Sequence, residues 1–114
     1  MLFDVLVDEI PVFEGGFSMT INVERDYELV VLEISGRLDA TTAPNLEKLI
    51  NKLSEDKNEI VFNMSNLEYM SSAGIRVLLK TYKKISTAGS MRIMGENDLV
   101  REALETTGLS QMIR

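Results

Sequence analysis

Two adjacent hydroxyls, Ser71 and Ser72, followed by the small residues Ala73 and Gly74, stand where the sequence could do chemistry. Before them lies a short apolar run, Ile60-Val61-Phe62-Asn63-Met64, long enough for a buried strand. After them Ile75, Leu78, Leu79, Tyr82 and Ile85 recur at the spacing of one helix face, so the serine pair sits at a loop-to-helix junction. A serine there can accept a hydrogen bond from the unpaired N–H groups of the first turn. The same N–H groups and the helix dipole stabilise added negative charge. A helix-start serine is therefore either a plain cap or a phosphorylation site. Further along, Arg76, Lys80, Lys83 and Lys84 fall at i, i+4, i+7 and i+8, on one outward face. That stripe is a solvated face, a surface for an acidic partner, or a screen for a phosphate near the helix start.

Nucleophilic catalysis by either serine would need a base. The 114 residues contain no histidine and no cysteine, which leaves only lysine or a carboxylate. No Gly-x-Ser-x-Gly elbow, Walker A loop or Gly-x-Gly-x-x-Gly fingerprint occurs, and the acidic residues are not set at metal-ligand spacing. The sequence calls for no cofactor and no metal, and it reads as a binding protein rather than an enzyme. A net charge of −6 argues against direct binding to nucleic acid. No apolar run reaches the length of a bilayer span, and the lack of cysteine is compatible with a reducing cytoplasm.

The elements that must position the serines follow from patterning, and the length suits one domain. Residues 1–18 alternate apolar clusters with Asp4, Asp8 and Glu9 and hold no Lys or Arg, unlike a signal peptide. Gly15-Gly16 reads as a joint. This segment is either an extra strand covering a sheet edge or a leader before a domain that begins at Met19, with the leader ahead. Ile21 and Val23 mark a half-buried strand, Arg25-Asp26 a turn, and Leu29 to Ile34 a second strand paired with the first as a hairpin. Gly36-Arg37-Leu38-Asp39 breaks the pattern. Thr41 or Thr42 caps a helix with Pro44 in its first turn and Leu46, Leu49, Ile50 and Leu53 on its buried face. A polar loop over 54–58 leads to the strand Ile60–Met64, then a loop over 65–70 and the helix after Ser72, which Gly89 ends. Met91–Met94 is a strand and Gly95-Glu96-Asn97-Asp98 a helix start. Leu99, Val100, Ala103 and Leu104 form a helix face closed by Gly108, and Leu109–Ile113 begins a last strand or turn. The order β-β-α-β-α-β-α favours an α/β fold with a mostly parallel sheet behind an N-terminal hairpin, its crossover helices packed on the sheet.

Phe62-Asn63-Met64-Ser65-Asn66-Leu67-Glu68-Tyr69-Met70-Ser71-Ser72-Ala73-Gly74-Ile75 resembles the signature of the STAS domain family of bacterial anti-sigma factor antagonists. Gly36-Arg37-Leu38-Asp39-Ala40-Thr41-Thr42-Ala43 is similar to that family's Gly-Glu-Leu-Asp segment. Met91–Met94 with Val100–Leu109 resembles its later strand and helix. The resemblance covers residues 19–114. It implies a STAS-like mixed sheet and a partner switch. In that scheme the unmodified protein binds an anti-sigma factor that is also a serine kinase and so frees a sigma factor. Phosphorylation, at the serine matching Ser72, releases that partner, and a serine phosphatase resets the switch. Two departures stand out: Ser71 occupies the place of the family's acidic residue before the acceptor, and Asn63 that of an Asp. Ser71 is accordingly the second choice of acceptor. Many members continue into a final helix beyond the position of Arg114. The resemblance therefore implies that this helix is missing or replaced, with residues 1–18 a candidate to cover the same apolar surface.

The reading that follows is a cytoplasmic anti-sigma factor antagonist without a membrane span, switched at Ser72. Ala73 and Gly74 are expected to keep the acceptor loop small enough for a kinase to reach. Leu38, Asp39, Thr41 and Thr42 line the same surface by resemblance, and Arg76 and Lys80 add partner contacts. Two other functions compete: a constitutive STAS scaffold in which Ser72 is only a cap, and a small-ligand or nucleotide sensor on the same fold.

Overall fold

A computed structural model describes residues 6–14, 17–25, 29–53, 59–85 and 89–108, with side chains from residue 19 onward. Its elements run β1 (Leu6–Glu14), β2 (Phe17–Arg25), β3 (Leu29–Leu38), α1 (Ala43–Leu53), β4 (Glu59–Asn63), β5 (Leu67–Met70), α2 (Ser72–Ile85), β6 (Ser90–Met94) and α3 (Asp98–Thr106). The strands lie in the order β1-β2-β3-β4-β6, and β5 pairs with β3 as well. Antiparallel pairing joins β1 to β2 and β2 to β3; β3 to β4, β4 to β6 and β3 to β5 are parallel. This is the expected α/β architecture: an N-terminal antiparallel part, a parallel remainder and crossover helices. Leu6–Glu14 pairs along the whole of β2. That stretch is a sheet edge and not a detached leader. The joint at Gly15-Gly16, the turn after Arg25, the loop over 54–58 and the last element over 109–113 fall outside the described residues.

One core joins sheet and helices. Ile21, Val30, Leu32, Ile34, Ile60 and Phe62 from the strands meet Leu46 and Ile50 of α1, Leu78 of α2, and Val100 and Leu104 of α3. Ile60, Val61 and Phe62 are all buried, as befits a strand flanked by parallel partners on both sides. Two helix faces differ from the periodicity reading. In α2 the buried set includes Gly74, Val77 and Thr81, while Leu79 and Tyr82 are only partly covered. In α3 Leu99 is 53% exposed, and Val100 and Leu104 carry the packing.

The ten-residue β3 organises the rest. Its first half, Leu29 to Glu33, pairs with β4; its end, Gly36 to Leu38, pairs with β5 across a register irregularity between Gly36 and Arg37. The strand thus runs on through the segment expected to break it, and the expected loop over 65–70 holds the strand β5. Between β4 and β5 the chain leaves the sheet in one turn. Asn63 Oδ1 accepts from Ser65 N at 3.0 Å and from Ser65 Oγ at 2.7 Å, and Leu67 N donates to Met64 O at 3.1 Å. Fully buried Met64 pins this turn, which is where a short polar side chain that folds back on its own backbone is favoured. Gly95 packs against it. Its φ is +77°, and an added Cβ would strike Ser65 Oγ, so only glycine fits both the conformation and the space.

Candidate functional site

The site is a corner where the ends of β3 and β5 deliver the chain into α1 and α2. At the α2 entrance, Ser71 N donates to Leu38 O at 2.9 Å, one step beyond the last pairing of β3 with β5. Ser71 Oγ then accepts from Ala73 N at 3.2 Å, and Ser71 O accepts from Ile75 N at 3.1 Å. These bonds make Ser71 the N-cap and Ser72 the first helical residue. Ser72 is exposed, and its hydroxyl bonds no described residue. The two adjacent serines thus differ in their surroundings: Ser71 Oγ is engaged as a cap and Ser72 is exposed.

Gly74 sits beneath them. A Cβ there would lie 2.7 Å from Leu38 Cγ and 3.0 Å from Met70 Cγ. Its smallness therefore serves the close approach of α2 to the sheet. Gly74 is buried and Leu38 is fully buried, so neither forms the partner surface expected of it. Ala73 is half-buried at the rim.

At the α1 entrance the cap differs from the expected one. Asp39 Oδ1 accepts from Thr41 N at 3.0 Å, Thr42 N at 3.2 Å and Thr41 Oγ1 at 2.7 Å. Ala43 N donates to Asp39 O at 2.8 Å, beginning the helical pattern. Asp39, and neither threonine, caps this turn; a carboxylate collects donors better than a hydroxyl can. Thr42 is fully buried: its Oγ1 accepts from Asp39 N and donates to Arg37 O, both at 2.9 Å. Thr42 is thus a structural hydroxyl and gives a partner no surface. Thr41 remains exposed.

The Thr41 hydroxyl does most to lower the Asp39 pKa; partial desolvation opposes it, and the N–H bonds from Thr41 and Thr42 add to the lowering. A carboxyl with a folded pKa below its unfolded one stabilises the fold above the unfolded value, and that contribution fades as pH falls through the folded one. Asp39→Asn keeps an accepting oxygen but cannot ionise. Its stability deficit, read from urea midpoints, is expected to be full at pH 7 and to shrink below about pH 4. A deficit independent of pH would show that the charge contributes nothing.

Sequence reasoning missed two residues here. The Arg37 guanidinium lies 4.3 Å from the centroid of the Tyr69 ring, with its Nε 3.8 Å from Asp39 Oδ2. The two are cross-strand partners on β3 and β5, and only knowledge of that register would have brought them together.

The basic stripe is divided. Lys80 Nζ meets Glu47 Oε2 at 3.1 Å and Lys84 Nζ meets Asn51 Oδ1 at 3.3 Å, both across to α1. Arg76 and Lys83 stay exposed. Ala40, Ala43, Pro44, Ala73, Arg76 and Val77 line a shallow groove between the helix starts, closed at its far end by Glu47 and Lys80. Of the residues expected to share one surface, the structure brings Asp39, Thr41, Ser71, Ser72, Ala73, Arg76 and Lys80 to this corner and withdraws Thr42 and Gly74. Among the described residues no group of His, Cys, Asp or Glu could hold a metal ion, and no helix is long and apolar enough to cross a membrane.

A mixed sheet that delivers two helix starts to one exposed hydroxyl corner is an α/β fold with crossover helices. The model of the STAS domain matches residues 20–114, and the chain belongs to that family. It is similar to the anti-sigma-F factor antagonist RsfB of Mycobacterium tuberculosis, with 28% identity over 98 residues, 85% of this chain and 80% of that one. It is also similar to the anti-sigma-B factor antagonist of Staphylococcus aureus, with 27% identity over 99 residues, 83% of this chain and 92% of that one. Among solved structures, an anti-sigma factor antagonist from Mycobacterium paratuberculosis superposes with a TM-score of 0.79 at 26% identity, covering 89% of this chain and 87% of that one.

Proposed function

We propose that this protein is a cytoplasmic anti-sigma factor antagonist that acts by partner switching. Its unmodified form binds an anti-sigma factor with serine kinase activity through the corner around Ser72, which releases the sigma factor. The kinase then moves the γ-phosphoryl group of ATP onto Ser72 Oγ, with loss of the hydroxyl proton and release of ADP. The phosphorylated form dissociates, and a serine phosphatase restores the hydroxyl by hydrolysis. The names of the relatives support the general role. The observation that carries the finer reading is the division between the serines: Ser71 Oγ is engaged as a cap, whereas Ser72 is exposed on the first residue of a firmly held helix. Phosphate at that position adds close to two negative charges where the helix N–H groups and dipole stabilise them, so the switch works by charge and bulk at an interface and leaves the helix intact.

Incubation with ATP and a serine kinase of the anti-sigma type, followed by peptide mass spectrometry, tests this directly. One phosphate on Ser72 is the expected result. Tight binding without phosphate would favour a constitutive scaffold, and phosphate on Ser71 would reverse the assignment of cap and acceptor.

A further inference from the structure

Arg76 stands four residues after Ser72 on α2, so the two side chains occupy successive turns of the same face. Both are exposed. The charges that meet this corner are Arg37 on β3, Asp39 just beyond it, Glu47 on α1, and Arg76 and Lys80 on α2. Arg37 faces Asp39 at 3.8 Å, and Lys80 is matched by Glu47 at 3.1 Å. Arg76 has no ion pair or hydrogen bond to another described residue and lines the groove between the helix starts.

Resting on the reading of Ser72 as the acceptor, we propose that Arg76 holds the phosphate of phosphorylated Ser72 and is thereby withdrawn from the partner-facing groove. An anion placed four residues before a cation is the favourable order along a helix. A guanidinium also meets phosphate oxygens in a two-point fork, which an ammonium cannot do. One modification then changes the surface twice: it adds an anion at the rim and removes the cation that the partner met.

The test uses the full chain with phosphoserine installed at position 72 during translation, so no kinase is needed. The second ionisation of the phosphate is followed by phosphorus NMR against pH. Arg76→Gln, an exposed change, is expected to raise that pKa by about 0.2–0.4, because the dianion loses its partner. Lys83→Gln on the same helix is expected to leave it in place. An unchanged pKa in Arg76→Gln, or an equal rise in Lys83→Gln, would overturn the pairing. In the unmodified protein, Arg76→Gln is expected to weaken the kinase partner several-fold, and unchanged affinity would overturn the withdrawal. Failure of the kinase to modify Ser72 would sink the proposed function while the titration still reads the pair, so the two can fail separately.

Discussion

Gly74→Val is expected to lower stability by roughly 3 kcal/mol and the melting temperature by roughly 10–20 °C, the largest effect of any single change near the site. The added carbons would enter space that Leu38 and Met70 already fill, 2.7 and 3.0 Å from where a Cβ must lie. Both neighbours are buried, at 0% and 5% exposure, and cannot swing into solvent. Gly74→Ala sits between two opposing terms, since alanine favours a helix by about 1 kcal/mol while the overlap costs about 1–3 kcal/mol. Pairing Gly74→Ala with Leu38→Val should recover part of the loss, and the non-additivity reports the contact itself. Calorimetric melts of the single and double variants decide it. A Gly74→Val protein as stable as the wild type would mean that α2 does not approach β3 this closely.

Ser72→Asp is expected to weaken binding to the proposed partner, an anti-sigma factor with serine kinase activity, by about 10-fold to 100-fold, a difference of roughly 1.4–2.8 kcal/mol. Ser72→Ala should bind within a few-fold of the wild type. The contrast isolates charge from shape: Ser72 is exposed and does not cap the helix, so neither change should disturb the fold. Aspartate carries one charge where phosphate carries close to two, so the substitution is a lower limit on the switch. Titration calorimetry with the purified partner measures both. Equal loss in the two variants would mean that the hydroxyl is a contact and not a switch. Equal retention would return the protein to the scaffold reading.

Local chemistry made several elements readable. The start of α3 was visible in Gly95-Glu96-Asn97-Asp98, and Asn97 Oδ1 does accept from Val100 N at 2.8 Å. Gly108, with φ +78°, ends that helix where the pattern placed it. Other features depend on partners distant in the chain. The four residues of β5 are too few to alternate legibly and form a strand only because β3 extends past β4. The α1 cap went to Asp39 because three donors converge on one carboxylate, a competition among neighbours that residue preferences alone do not rank. The buried face of α2 turned toward Val77 and Thr81, where Thr81 Oγ1 donates to Val77 O at 2.8 Å and hides its own polarity. At the site, the serine pair was legible as a place. Which serine caps, and which of the small residues lies inside, required the packing.

Because β3 carries β4 on its first half and β5 on its last, the corner around Ser72 is built on the same strand as the middle of the sheet. The Leu38 carbonyl that receives Ser71 N and the Leu38 side chain under Gly74 belong to the same strand whose other end lies in the middle of the sheet. Opening the corner would disturb a strand that pairs with β2, β4 and β5, so amide exchange at Leu38 and Ser71 is expected to be as slow as in the middle of the sheet. The partner proposed above would meet this surface already formed, with little conformational entropy left to lose on docking. In the proposed switch, information would pass through such a surface by a change in what is written on it, while the page itself stays still.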